Sequence, residues 1–141
     1  MIQNLTDIDL ASYRDFVLKV TSDPSMKHSS LIDRLEELTF ESPAGFNWPE
    51  CLTAAIGLQA ETGEFAEIIK KCIFQGKNMD ANTKWHAKRE LGDVLWYWIH
   101  GVNSLGLDPV DVIRENVMKL EARYPGGFQV SRSENRAEGD L

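Results

Sequence analysis

The sequence predicts an all-α protein, folded as an antiparallel bundle of about four to five helices. Apolar residues recur at intervals of three and four along most of the 141-residue chain, which is the period of an amphipathic helix. No segment alternates apolar and polar residues as a half-buried strand does. The connections between helical patterns are short and rich in turn-forming residues, which favours antiparallel neighbours.

Two helices are predicted in the first third of the chain. The first runs from Asp9 to Thr21, and turn-forming residues at 22–25 end it. The second begins at Ser29 or Ser30, ends near Phe40, and carries a buried apolar stripe: Leu31, Ile32, Leu35 and Leu38. A loop with Pro and Gly follows at 41–47.

Three longer helices are predicted after this loop. Asn47 can cap a helix that continues to Phe74 or Gln75, where Gly76 ends it. The next helix begins near residues 81–83 and ends at Ser104, and the last runs from Pro109 to about Tyr124. Residues 1–130 are expected to form one domain, and residues 131–141 a loose polar tail.

Charge and composition restrict the function. The formal net charge is -7, which argues against non-specific nucleic-acid binding but not against a small phosphorylated ligand. The N-terminus lacks the pattern of a signal peptide, and the longest apolar run, 94–99, is too short to span a membrane. Cys51 and Cys72 are too far apart on one helix for a disulfide. We therefore expect a cytoplasmic protein without nucleic-acid or membrane partners.

Three glutamates on the central helix point in different directions. At about 100° per residue, Glu61 lies within the apolar arc, between Leu58 and Phe65. Glu64 lies at the edge of that arc, and Glu67 points nearly opposite to Leu58. Acids on or beside a buried face require compensation, so Glu61 and Glu64 are candidate functional residues.

The following helix carries a second acidic pair. Glu90, Asp93 and Tyr97 form a stripe along one edge of its apolar face, with His86 one turn earlier. The residues predicted to form that apolar face are Leu91, Val94, Trp98 and Leu105. Antiparallel packing would bring the two acidic pairs face to face.

Converging carboxylates repel one another and lose hydration unless a cation compensates them. Ion pairing with Lys or Arg would explain one such pair, but two pairs on consecutive helices favour a hard divalent cation. No Glu-x-x-His or His-Glu-x-x-His motif is present. All-oxygen ligation predicts Mg²⁺, with Mn²⁺ as a possible substitute.

Basic and polar residues could bind the phosphates that accompany Mg²⁺. Lys70, Lys71 and Lys77 flank the end of the central helix. On the last helix, helical spacing places Asn116, Lys119 and Arg123 on one face. The alternative is a solvated face on which Lys119 pairs with a neighbouring glutamate.

The acidic motifs carry a family resemblance. Glu61-x-x-Glu64, 25 intervening residues and Glu90-x-x-Asp93 resemble the signature of the MazG-like, all-α nucleoside triphosphate pyrophosphohydrolases. The match extends over roughly residues 47–128. Its longer segments are Gly57-Leu-Gln-Ala-Glu-Thr-Gly-Glu-Phe-Ala-Glu67, Glu90-Leu-Gly-Asp-Val-Leu-Trp-Tyr97 and Asn116-Val-Met-Lys-Leu-Glu-Ala-Arg-Tyr-Pro-Gly-Gly-Phe128.

The resemblance implies Mg²⁺-dependent hydrolysis of a nucleoside triphosphate to the monophosphate and pyrophosphate. It implies four metal ligands, Glu61, Glu64, Glu90 and Asp93, and we expect Glu61 or Glu64 also to accept the proton of the attacking water. In related dCTP-cleaving members the position of Tyr97 contacts the nucleotide, and an aromatic residue stands where this chain has Lys71. The full set of expected substrate-binding residues is Tyr97, Lys71, Lys77, Asn116, Lys119, Arg123 and Trp48.

The resemblance also implies a homodimer or homotetramer with sites shared between subunits. Trp85, Trp96 and Ile99 lie away from the predicted intrachain core and are the expected interface. The bundle would then be completed by oligomerisation.

Two other functions are compatible with this sequence. One is hydrolysis of a different phosphorylated substrate, such as phosphoribosyl-ATP or an alarmone, on the same scaffold. The other is a non-catalytic helical interaction module whose acids form salt bridges.

Overall fold

The computed structural model describes residues 9–135, and this part of the chain contains seven helices and no strand. The all-α class is therefore confirmed. The helices are α1 (Leu10–Val20), α2 (Asp23–Met26), α3 (His28–Glu41), α4 (Trp48–Phe74), α5 (Ala81–Ser104), α6 (Pro109–Arg123) and α7 (Val130–Glu134). None of these helices is both long enough and apolar enough to cross a lipid bilayer.

The two shortest helices are additions to the predicted set. α2 replaces the turn expected at 22–25, because Pro24 occupies its first turn, where a missing N–H costs no helical hydrogen bond. α7 includes residues 131–134 of the segment predicted to be a loose polar tail, and the looseness of that tail stays a prediction. Residues 136–141 of that tail lie outside the described residues.

Packing divides the chain into two compact units, with the boundary after Pro43. In the first unit, Asp9 caps α1 by accepting a hydrogen bond from the Ser12 N–H at 2.7 Å, and α2 packs on α3. Leu31 and Ile32, predicted to be buried on α3, are 43% and 39% exposed. The prediction of one domain over residues 1–130 stays a prediction.

The second unit is built on an antiparallel hairpin of α4 and α5, its principal packing pair. The Asn47 side-chain oxygen accepts from the Glu50 N–H at 3.2 Å and begins α4. Gly76 then adopts a positive φ of 70°, which favours glycine and ends the helix. The Asp80 carboxylate accepts from the Thr83 N–H at 2.7 Å and begins α5. Local capping chemistry therefore sets the length of both helices.

Small residues let these two helices approach closely. The buried residues of the hairpin are Ala54, Gly57, Thr83, Ala87, Val102 and Ser104. A Cβ added at Gly101 would lie 3.7 Å from the Ala54 Cβ, so the backbones meet without a large side chain between them. The seam is narrow, and it buries little beyond these residues.

Much apolar surface of the second unit is exposed for this reason. Leu91 and Leu105, assigned to the core face of α5, are 52% and 46% exposed. The apolar stripe of α6 is 42–60% exposed at Val110, Ile113, Val117 and Leu120. A two-helix hairpin covers only one face of each helix. α6 makes only limited contact with α5, so much of the remaining apolar surface of this unit is exposed.

Polar contacts tie the open end of the hairpin together. The Asn47 N–H donates to the Ser104 carbonyl at 2.8 Å, so the chain enters α4 beside the point where it leaves α5. His100 Nδ1 lies 2.9 Å from Glu50 Oε1, and both side chains are half-buried. This pair joins residues that are 50 positions apart in sequence.

We predict that His100→Ala lowers the free energy of unfolding by about 1–3 kcal/mol, because a half-buried carboxylate then loses its partner. The matched control is Arg114→Ala, which removes the exposed pair between Arg114 and Asp111 and should cost less than about 1 kcal/mol. Urea unfolding, followed by circular dichroism, measures both values. Equal losses for the two variants would contradict a stabilising role for the Glu50–His100 pair.

Candidate functional site

α4 and α5 bring three of the four predicted acids together. One carboxylate oxygen from each of Glu61, Glu64 and Glu90 lies within 4.8 Å of the other two. Glu61 and Glu64 are almost one turn apart on α4, and the antiparallel register places Glu90 of α5 opposite them. The expectation that the two helices present their acids to each other is met by these three residues.

The fourth predicted acid, Asp93, lies beside this group but outside it. Its side chain is exposed, and it is not among the three carboxylates that share the 4.8 Å limit. Its negative charge nevertheless acts on Glu61. Asp93 therefore lies near enough to the cluster to act on it electrostatically.

The acids destabilise one another in their charged forms. Partial burial raises the pKa of Glu61, and the negative charges of Glu64, Asp93 and Glu90 raise it further. Glu61 also shares a hydrogen bond with Glu90, which raises the pKa in the same direction. Within residues 9–135, none of these four acids forms an ion pair with Lys or Arg. Compensation by neighbouring side chains, the alternative considered above, is therefore not seen in this part of the chain.

The donor set fits a hard divalent cation. Every candidate ligand atom is a carboxylate oxygen, which Mg²⁺ and Mn²⁺ prefer, and no Cys or His belongs to the group. A cation would also relieve the repulsion that raises the pKa of Glu61.

The cluster opens into a groove of about 410 Å³ that also contains cationic side chains. Glu64 and Glu90 lie on its acidic side, and Lys71, Lys77 and His86 also line it. Its remaining lining residues are Ala60, Gly63, Glu67 and Ile68. The groove thus combines metal-ligand chemistry with groups that could bind phosphate oxygens.

The turn after α4 holds the two groove lysines near each other. The Lys77 N–H donates to the Lys71 carbonyl at 3.2 Å, and the Gln75 N–H donates to the same carbonyl at 3.1 Å. The backbone therefore folds back over the last turn of α4. Both lysines predicted to bind substrate line the acidic groove.

The helical angle of Glu67 predicted that its side chain points away from the site. In the structure this side chain lies at the site instead. Its carboxylate accepts hydrogen bonds from Lys70 and Lys71, the latter at 3.2 Å, and these bonds lower its pKa. It lines the groove beside Glu64. Its exclusion from the predicted metal ligands agrees with its pairing to two lysines.

Tyr97 lies against the backbone of α4. A Cβ added at Gly57 would lie only 2.1–2.4 Å from three atoms of the Tyr97 ring, so the ring occupies the space that a side chain at position 57 would need. The neighbouring Trp96 meets this ring edge-on, with 4.7 Å between ring centroids. Tyr97 is thereby fixed on the acid-bearing hairpin.

The other predicted substrate residues lie outside the acidic groove. Trp48 begins α4, thirteen residues before Glu61, which is roughly 20 Å along the helix axis. Asn116 and Lys119 line a separate groove of about 810 Å³ beside the turn between α5 and α6. Arg123 lies near Tyr124, with 5.9 Å between its guanidinium carbon and the ring centroid. None of these four residues lines the acidic groove.

Two further residues belong to the site although they were not among its predicted members. His86 lies on the acidic stripe of α5, which the sequence showed, and it lines the groove. Gly57 lies against the Tyr97 ring. The sequence indicated this role only by the presence of a glycine in the middle of a long helix, one turn before Glu61. The contact across the two helices depends on their register, which the sequence does not state.

Comparison with known proteins identifies the family. Residues 50–128, more than half of the chain, match the model of the MazG nucleotide pyrophosphohydrolase domain. The chain is 32% identical over 83 residues to the Gene 37 protein of Mycobacterium phage L5, covering 57% of this chain and 72% of that protein. No solved structure matches the chain significantly. The chain belongs to the MazG nucleotide pyrophosphohydrolase family.

Proposed function

We propose that this protein is a Mg²⁺-dependent enzyme that cleaves a nucleoside or deoxynucleoside triphosphate to the monophosphate and pyrophosphate. Family membership supports an activity of the nucleotide pyrophosphohydrolase type. The observation that carries the finer proposal is the convergence of Glu61, Glu64 and Glu90, which have no cationic partner among residues 9–135, beside a groove that contains lysines.

The proposed metal ligands are Glu61, Glu64, Glu90 and Asp93. When bound there, Mg²⁺ would neutralise phosphate charge and make a water molecule more acidic. Glu61 or Glu64 accepts the proton of the attacking water, and Lys71 and Lys77 offset the charge of the leaving pyrophosphate. The bond that breaks is the phosphoanhydride bond between the α- and β-phosphates.

The nucleoside is proposed to contact Tyr97, which is fixed beside the acids. Trp48, Asn116, Lys119 and Arg123 remain proposed substrate residues, and a second copy of the chain is the proposed means of bringing them to the acids. The exposed apolar stripe of α6 supports self-association, as do Trp85 and Trp96, which are 50% and 54% exposed. Ile99, the third predicted interface residue, is half-buried.

We predict that Glu64→Gln and Asp93→Asn each reduce Mg²⁺-dependent turnover at least about a hundredfold, because each removes a charge from the proposed metal site. Matched controls are Glu36→Gln and Asp33→Asn, which change exposed residues of α3 in the other unit. Product analysis across ribo- and deoxyribonucleoside triphosphates, phosphoribosyl-ATP and alarmones measures the turnover and identifies the substrate class. Full activity in both site variants would falsify the proposed mechanism.

We expect Mg²⁺ or Mn²⁺ to stabilise the folded protein, because only the folded chain assembles the three acids. At a free metal concentration of a hundred times Kd, the free energy of unfolding should rise by about 2.7 kcal/mol. Thermal unfolding with increasing Mn²⁺ measures the effect, and Glu61→Gln should reduce it. An unchanged Tm at all metal concentrations would instead favour the non-catalytic interaction module.

The pH dependence of the metal-free protein tests the electrostatics of the site. Glu61 should titrate above its ordinary pKa of 4.5, and Glu64→Gln should lower that pKa by removing a neighbouring charge. Between the ordinary and the raised pKa, the folded state retains a proton that the unfolded state loses. The contribution of Glu61 to stability therefore falls as pH rises through this window.

Carbon-13 NMR of the Glu61 carboxyl group measures this titration, with Asp33→Asn as a control that should leave it unchanged. If Glu61 has its ordinary pKa, or if Glu64→Gln leaves its pKa unchanged, the acids do not interact as the geometry indicates. The metal-dependent activity would then need another explanation.

A further inference from the structure

Gly57 differs from the other glycines in the acid-bearing parts of α4 and α5. A Cβ at position 57 would lie 2.1 Å from Tyr97 Cε1, 2.2 Å from Cδ1 and 2.4 Å from Cζ. At Gly63 and Gly92, by contrast, an added Cβ would meet nothing within 4 Å. Only at Gly57 would the methyl group of alanine collide with a ring predicted to contact substrate.

The contact between Gly57 and Tyr97 lies one helical turn from the acids. Gly57 precedes Glu61 by one helical turn on α4, and Tyr97 follows Asp93 by one turn on α5. Because the helices are antiparallel, both residues lie at the same end of the acidic cluster, roughly 6 Å along the helix axes from it. The opposite end of the hairpin carries the groove lysines.

Packing alone holds the Tyr97 ring in place. Among the described residues its hydroxyl makes no hydrogen bond. Trp96 contacts one edge of the ring, and the α4 backbone at Gly57 limits it on another side. A side chain at position 57 would therefore move the ring, with no hydrogen bond to resist the movement.

We infer that Gly57 is a positioning residue for nucleotide binding. Its missing side chain lets the Tyr97 ring lie on the α4 backbone, and this sets the distance between the nucleoside surface and the acids. This inference rests on the proposed function, in which Tyr97 contacts the nucleoside. Gly57 itself touches neither substrate nor metal.

The test compares Gly57→Ala with Gly92→Ala, the same substitution at a helical position with open space. Gly57→Ala should raise KM for the nucleotide by about ten- to a hundredfold, because a displacement of about 1 Å near a reacting centre has effects of this size. The affinity for Mn²⁺ and inhibition by pyrophosphate should stay at the wild-type level, since the acids and lysines do not touch the ring. Gly92→Ala should leave KM unchanged.

A double-mutant cycle separates positioning from general stability. In a Tyr97→Ala background no ring is present, so adding Gly57→Ala should cause no further rise in KM. If Gly57→Ala alone does not fold, as judged by circular dichroism, the double variant should recover folding and show the KM of Tyr97→Ala. Failure of the double variant to recover folding would overturn the inference.

Two other results would also overturn it. One is an unchanged KM in folded Gly57→Ala while the wild type is active. The other is parallel loss of nucleotide, Mn²⁺ and pyrophosphate binding, which indicates a loosened hairpin. Absence of any nucleotide turnover in the wild type would instead overturn the proposed function, together with the role of Gly57 in it.

Discussion

The close approach of α4 and α5 is the constraint on which the rest of the second unit depends. Small residues line their seam, so Ala54 and Gly101 bring the backbones together. This approach determines the register, and the register places Glu90 opposite Glu61 and Glu64. A bulky residue in the seam would separate the helices, and the carboxylates would separate with them. The positions of the acids therefore depend on the small size of the residues between the two helices.

The same narrow seam explains why the site is electrostatically unbalanced. Carboxylates beside a close helix contact lose part of their hydration, while the groove lysine Lys71 pairs with Glu67 and not with Glu61. Lys70 and Lys71 neutralise Glu67, which keeps one acid of α4 in a conventional ion pair. Glu61 is left with like-charged neighbours, and this is why its pKa is raised.

Much of the helical structure was predictable, because the signals that begin and end helices are local. Asn47 and Gly76 act where their capping chemistry indicated, and the bounds of α4, α5 and α6 agree with the predictions within about two residues. α2 and α7 were missed since four or five residues are too few to show a helical period. The burial of Leu91 and Leu105 was predicted wrongly, because burial depends on which helix faces pack against a partner.

The candidate site was predictable to the extent that it lies on single helix faces. Helical angles placed Glu61 at the seam and Glu64 at its edge. Contacts that depend on pairing two helices, such as Gly57 with Tyr97 or Glu50 with His100, were not predictable.

The hydrogen bond between Asn47 and Ser104 affects which parts of the sequence can vary without disturbing the acids. It closes residues 47–104 into a loop whose two ends are adjacent, so the segments before and after it are attached at one end of the hairpin. The acids lie towards the middle of that hairpin, away from both attachment points. Insertions, losses or replacements in the attached segments can therefore accumulate without altering the spacing of the carboxylates. The acid-bearing hairpin is in this sense a transferable unit, to which different helical neighbours can be joined.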